Sequence, residues 1–162
     1  MMLNRQRTQA GITLIEILVT MIILAIGFLG LASVQLLGTR NISNSNYRTL
    51  ATIYAYDMAE RMRANQVGVN LGSYNAVISS SATDPACSSY CTPAQMADRD
   101  ASEWDDLLTA DPVNGGLPNG AGSVAYDATD DVFTIAIRWT ENVREGDIGQ
   151  LQNQTYSLLV KM

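Results

Sequence analysis

The sequence contains no histidine and a single lysine, Lys161. Histidine is the side chain that most often serves as general base, zinc ligand or pH switch near neutrality. Its absence excludes Ser-His and Cys-His catalysis, and no convergent nucleophile-base pattern replaces it, so no catalytic residue is assigned. Positive charge is also sparse. The arginines are scattered in groups no larger than a pair such as Arg61 and Arg63, within a chain of formal charge −6 and isoelectric point near 4.4. A nucleic-acid partner needs a basic patch to displace counterions from phosphate, so none is expected. Cysteine is limited to Cys87 and Cys91. Two cysteines without histidine do not complete a tetrahedral metal site. No metal or other cofactor is expected, and in an oxidising compartment the pair can close one disulfide.

What the chain does have is an uneven distribution of apolar residues. Its 162 residues leave room for one modest domain plus an N-terminal element. Apolar residues make up 47%, yet the mean hydropathy is only +0.03, because they crowd between Ile12 and Leu37. Met1 to Gly11 is polar and carries Arg5 and Arg7, whereas between Ile12 and Leu37 the only ionisable side chain is Glu16. From Ile17 to Leu37 only Thr20, Ser33 and Gln35 interrupt the run. About 20 helical residues cross a hydrocarbon core, so this segment is expected to span or anchor.

Two generic readings compete: a removed secretory signal and an uncleaved signal anchor. A small-x-small site stands at Gly30-Leu31-Ala32 and would leave Ser33 first, but the apolar run continues through Val34, Leu36 and Leu37. The arginine balance, Arg5 and Arg7 before the span against Arg40 and Arg48 after it, is a tie and assigns no orientation. An unpaired carboxylate deep in a bilayer costs about 2.5–3.5 kcal/mol. Glu16 therefore lies either in the headgroup layer or beside a partner charge.

The string Gly11-Ile12-Thr13-Leu14-Ile15-Glu16, followed by Ile17-Leu18-Val19, resembles the class III signal of type IV prepilins and pseudopilins. The resemblance implies that a prepilin peptidase cuts between Gly11 and Ile12 and N-methylates Ile12. The family usually has phenylalanine where this chain has Ile12, a conservative departure. The new α-amino group, with a reference pKa of about 7.7–8.0, would be largely charged at neutral pH, four residues from Glu16. By analogy with pilins, Glu16 pairs with the amine of a neighbouring subunit and sets axial register; an intrachain pair along one helix face is equally available.

Beyond Arg40, Leu50, Ile53, Tyr54, Met58 and Met62 recur at helical spacing, which predicts an amphipathic helix with Asp57–Arg61 and Glu60–Arg63 pairs on solvated faces. Asn41 to Asn46 is rich in side chains that compete for backbone hydrogen bonds, so a bend or break there is left open. Gly68 and Gly72 end the pattern. Thr92-Pro93-Ala94-Gln95 forms a capping box with proline at the first helical position. It predicts a helix from Pro93 to about Leu108, with Met96, Trp104, Leu107 and Leu108 toward the core. Cys87 and Cys91 lie just before it, where a disulfide clamps a loop. Asp111–Gly122 reads as a loop. Ser123–Tyr126, Val132–Trp139 and Thr155–Lys161 read as strands of an antiparallel sheet packed on the second half of the long helix. Asp127, Asp130 and Asp131 fall in a polar turn, and Glu141–Asn153 reads as an exposed loop.

Ala55-Tyr56-Asp57-Met58-Ala59-Glu60-Arg61-Met62-Arg63-Ala64-Asn65 is similar to a stretch of PilV-type minor pilins. So are Gly27-Phe28-Leu29-Gly30-Leu31-Ala32 and Cys91-Thr92-Pro93-Ala94-Gln95-Met96-Ala97 with Trp104. These resemblances imply an α+β type IV pilin fold, in which a long N-terminal helix with an apolar first half packs on a small antiparallel sheet. The expected divisions are leader 1–11, apolar helix 12–38, amphipathic continuation 39–65 and head 66–162. The implied role is a structural minor pilin in pilus assembly or its initiation, and so in adhesion or twitching motility. The implied partners are the prepilin peptidase, the major and other minor pilins, the inner-membrane assembly platform and a tip adhesin. The implied location is the bacterial inner membrane with the head in the periplasm, then the pilus at the cell surface. The alternatives are a pseudopilin of a type II secretion system and, in another class, a membrane-anchored periplasmic enzyme.

Overall fold

The computed structural model describes residues 11–145 and 148–162. The expected leader, apart from Gly11, lies outside the described residues. The chain divides into two compact units, Met1–Asn41 and Ile42–Met162. Helix α1, Leu14–Ala64, is one helical segment shared between them. The asparagine-serine stretch is helical throughout, and its Asn44 side chain bonds away from the helical ladder. Asn44 donates its side-chain amide to the carbonyl of Asn142 at 3.2 Å, and the Ser45 carbonyl accepts from the Thr49 hydroxyl at 3.0 Å.

In the second unit, α1 is followed by the short helix α2 (Gln66–Asn70), strand β1 (Ala76–Ile78), helix α3 (Pro93–Thr109) and strands β2 (Ala121–Asp127), β3 (Val132–Glu145) and β4 (Ile148–Val160). Among the described residues these strands form an antiparallel sheet of order β1-β2-β3-β4, so the fold is α+β. Alternation along β3 turns Phe133, Ile135, Ile137 and Trp139 inward, where they meet Ala51, Ala55, Met58, Ala59 and Met62 of α1 in a single core. Small residues at 51, 55 and 59 fit a close approach of helix to sheet. Ile53, expected on this face, is half exposed.

The capping box of α3 forms as read: the Thr92 hydroxyl accepts from the amide of Gln95, and the Gln95 side chain accepts from the amide of Thr92. The buried face of α3 is Ala97, Asp100, Ala101, Trp104 and Leu108, a strict three-to-four spacing that leaves Met96 and Leu107 partly exposed. Those two were assigned to the core because they are large and apolar. The helix instead turns its alanines inward, which lets it sit close to its neighbours. The Trp104 indole donates to the Tyr54 carbonyl of α1 at 3.0 Å. Its ring lies where a Cβ on Gly122 would stand 2.3 Å from two ring carbons. Only glycine fits there. The buried Gly122 amide, beyond the end of β1, is satisfied by the hydroxyl of Ser79, itself fully buried.

Two further expectations are corrected. Residues 141–145 and 148–153 are strand rather than loop, paired in register from Phe133↔Val160 to Glu145↔Ile148. The inner-facing series begun at Phe133 simply continues to Glu141, which is buried. β1 was missed altogether, being only three residues long. The Cys87–Cys91 disulfide is formed, with Cα atoms 5.4 Å apart.

Candidate assembly site

Among the described residues, Gly11 has no heavy atom within 4 Å of the position a Cβ would take, and Ile12 is largely exposed. The described residues therefore leave the peptide between them, where the cut is expected, sterically open. The first turn of α1 begins at once: the Thr13 carbonyl accepts from the amides of Glu16 at 3.1 Å and Ile17 at 3.4 Å. Glu16 thus occupies the first helical turn, where the unpaired amides of the helix N-terminus favour negative charge.

From Ile12 to Leu36 the large apolar side chains are about half to three-quarters exposed, and the most apolar window of α1 has mean hydropathy 2.6 with none of it buried. The polar side chains in the run are returned to the backbone of their own helix. Thr20 donates to the carbonyls of Glu16 and Ile17, and Ser33 to that of Gly30 at 2.7 Å. Such back-bonding removes the cost of placing a hydroxyl in hydrocarbon. The side chains of this segment form an apolar surface, exposed among the described residues, with one carboxylate at its start.

Downstream, two arginines of α1 join it to the rest of the second unit. Arg48 meets Glu141 as a fork, Nε to Oε1 at 3.0 Å and Nη2 to Oε2 at 2.9 Å, while the Trp139 indole adds a third donor at 3.0 Å. The arginine is mostly exposed but the carboxylate is fully buried, so the three bonds offset its desolvation. Arg61 bonds Asp57 on its own helix at 2.8 Å, and Glu103 at 2.7 Å and Asp100 at 3.4 Å on α3. It was read as belonging to a solvated face; it is a bridge between helices. Asp100 also accepts from the buried Tyr74 hydroxyl at 2.5 Å, and burial followed by this bond raises the Tyr74 pKa above its ordinary value. Apart from the Arg61–Asp57 pair, read from its spacing of four, these contacts were not legible in advance, since Glu141 and Asp100 lie 93 and 39 residues from their arginines.

The Arg48 bonds hold the Glu141 carboxyl below the usual range against the opposing effect of burial, with Trp139 assisting. Arg61 and then Arg99 do the same for Glu103. A depressed folded-state pKa contributes stability that is present above the unfolded value, about 4.3 for glutamate, and is lost as pH falls through the folded one. Stability set by these groups should therefore be level from neutrality to about pH 5 and decline below it. Glu141→Gln is expected to cost about 1–3 kcal/mol at pH 7 and to flatten this acid decline. Thermal unfolding of the full chain in detergent between pH 3 and 7 measures both.

Residues 6–32 match the family model described as the prokaryotic N-terminal methylation motif, and residues 33–102 match that of type IV pilin Tt1218, in the Tt1218-like family. Neither a curated protein nor a solved structure matches the chain. The two family matches adjoin and run from the polar N-terminus through the apolar helix, the Arg61 bridge and the start of α3. The chain is a type IV pilin-like protein.

Proposed function

We propose that this chain is a PilV-type minor pilin that is cut after Gly11, N-methylated on Ile12 and built into a type IV pilus at an early stage of assembly. The observation that carries the reading is a Gly11-Ile12 peptide that leads directly into a helix with one carboxylate in its first turn and an apolar surface exposed among the described residues. Before assembly that surface lies in the inner membrane, with the second unit in the periplasm; in the filament it lies among the apolar helices of other pilins. The disulfide fits an oxidising compartment. The prepilin peptidase, the assembly platform, the major pilin and sibling minor pilins are the partners of this reading. Adhesion or twitching motility is its physiological outcome.

Cleavage supplies a cation for Glu16. The amine of Ile12, charged at neutral pH, and the Glu16 carboxylate are the two ionised groups entering an apolar surrounding, and pairing them between subunits removes the cost of burying either alone. Because only one such pair exists per subunit contact, it also fixes how far one helix slides along the next.

Mass spectrometry of the mature N-terminus tests the reading. N-methylated Ile12 is expected; Ser33 at the terminus would overturn it. Glu16→Ala is expected to be processed normally but to fall by an order of magnitude or more in sheared pili, a loss equivalent to about 1.4 kcal/mol or more of subunit affinity. Undiminished incorporation removes the pairing role.

A further inference from the structure

At the end of the second unit where α1 finishes, α2 and the turn after it share with the β2–β3 hairpin a cavity of about 200 Å³. The buried Val69 and Phe133 belong to its lining, together with the half-buried Tyr126 and the exposed Asn70, Asn75 and Asp131. The fold holds these groups in place. Gly72, at φ +77°, turns the chain back after α2, and the amide of Asn75 donates to its carbonyl at 3.1 Å. The Asn75 carbonyl accepts from the Tyr126 amide at 3.1 Å, which ties the turn to β2. The Tyr126 hydroxyl donates to Asp131 at 2.8 Å within the hairpin, and its oxygen keeps the capacity to accept. The Tyr126 and Phe133 rings, on paired strands, stand 4.7 Å apart.

Each property of this lining narrows the ligand. A carboxylate lines the cavity and no lysine or arginine does, so a phosphate, sulfate or carboxylate ligand is repelled. Four polar side chains argue against a wholly apolar ligand, which would strip them of water without replacing its hydrogen bonds. An apolar cavity of about 150 Å³ holds a benzene ring, so the volume here suits one six-membered ring with its substituents and is too small for a nucleotide. What fits is a ring with an apolar face and a rim of neutral hydroxyls. Each carboxamide both donates and accepts, as neighbouring hydroxyls do, and the carboxylate adds a further acceptor. We propose that this cavity binds one neutral pyranose ring, its C–H face on Val69 and Phe133 and its hydroxyls on Asn70, Asn75, Asp131 and the Tyr126 oxygen. The site is independent of the assembly role proposed above, since it belongs to the second unit alone.

Saturation-transfer NMR on the full chain in phosphatidylcholine nanodiscs, which bring no sugar of their own, provides the test. The probes are glucose, galactose and mannose, each free and as the methyl glycoside. Saturation of at least one is expected, strongest on the C–H protons of one ring face, with a Kd of about 1 mM for so small a ligand. A methyl glycoside bound as well as the free sugar assigns the end of a glycan chain; binding lost on methylation assigns a free sugar. The double substitution Asn70→Ala, Asn75→Ala is expected to weaken binding about tenfold or more, and Tyr126→Phe, which keeps the ring, about threefold. Thermal unfolding should stay in place in both, since the carboxamides are exposed and the ring is retained. Silence from all the probes, affinity that survives the double substitution, or glucuronate bound as tightly as glucose each overturn the proposal. So does glucosamine bound about tenfold tighter than glucose, which would assign the cavity to a cation.

Discussion

A chain carrying Gly11→Leu is expected to accumulate as the full-length precursor, with mature protein reduced at least a hundredfold. The substitution is well suited to isolate recognition from folding. Among the described residues nothing stands within 4 Å of the position a Cβ would occupy at residue 11, and α1 begins only at Leu14, so the new side chain disturbs neither a contact among them nor the helix. A peptidase must instead bring its catalytic groups to within hydrogen-bonding distance of this peptide, and a side chain there stands in the way. The precursor keeps its cationic leader and gains no amine at Ile12, so Glu16 is left without the partner that cleavage would create. Immunoblotting of membranes resolves the two lengths. Normal processing would show that the cut lies elsewhere and would remove the proposed charge pair with it.

The second large effect concerns the second unit. Trp104→Ala is expected to cost about 3–5 kcal/mol, since a fully buried ring is removed from the junction of α1, α3 and β2. Set against a typical total of about 5–15 kcal/mol, this leaves the fold marginal. Trp104→Phe should recover part of the loss, keeping an aromatic ring but not the hydrogen bond to the Tyr54 carbonyl. The neighbouring Gly122→Ala is expected to cost about 1–3 kcal/mol alone, through overpacking against the indole. In the Trp104→Ala background most of its cost should disappear, because the ring it strikes hardest is gone and only the Leu108 Cδ1, 2.8 Å from the same position, is left to give way. Equilibrium unfolding of the four chains measures this coupling. Additive costs would mean that glycine at 122 is required by something other than the tryptophan.

The long N-terminal helix was legible because its signals are local. Its apolar run is visible within about 30 residues, and helical hydrogen bonds close within the segment without reference to the rest of the chain. The capping box of α3 was legible for the same reason. What failed depended on distant partners. Residues 141–145 and 148–153 carry asparagine, glutamine and charge, a composition that reads as loop, but they are strand because the register set at Phe133↔Val160 carries on to Glu145↔Ile148 and Arg48 satisfies the buried Glu141. Met96 and Leu107 were placed inside by size, whereas Ala97 and Ala101 are inside by position. Arg61 looked like half of an ordinary surface pair until α3 brought two more carboxylates to it.

The separation of the two arginines along α1 has a mechanical meaning. Arg48 and Arg61 are thirteen residues apart, about 20 Å along the helix, and each is tied to a different part of the second unit, Glu141 on the β3 hairpin and Glu103 with Asp100 on α3. A pull along the helix axis strains both ties at once, in shear. They share the load in parallel instead of opening one after the other like a zipper, so a helix under tension would come away only when both ties fail together.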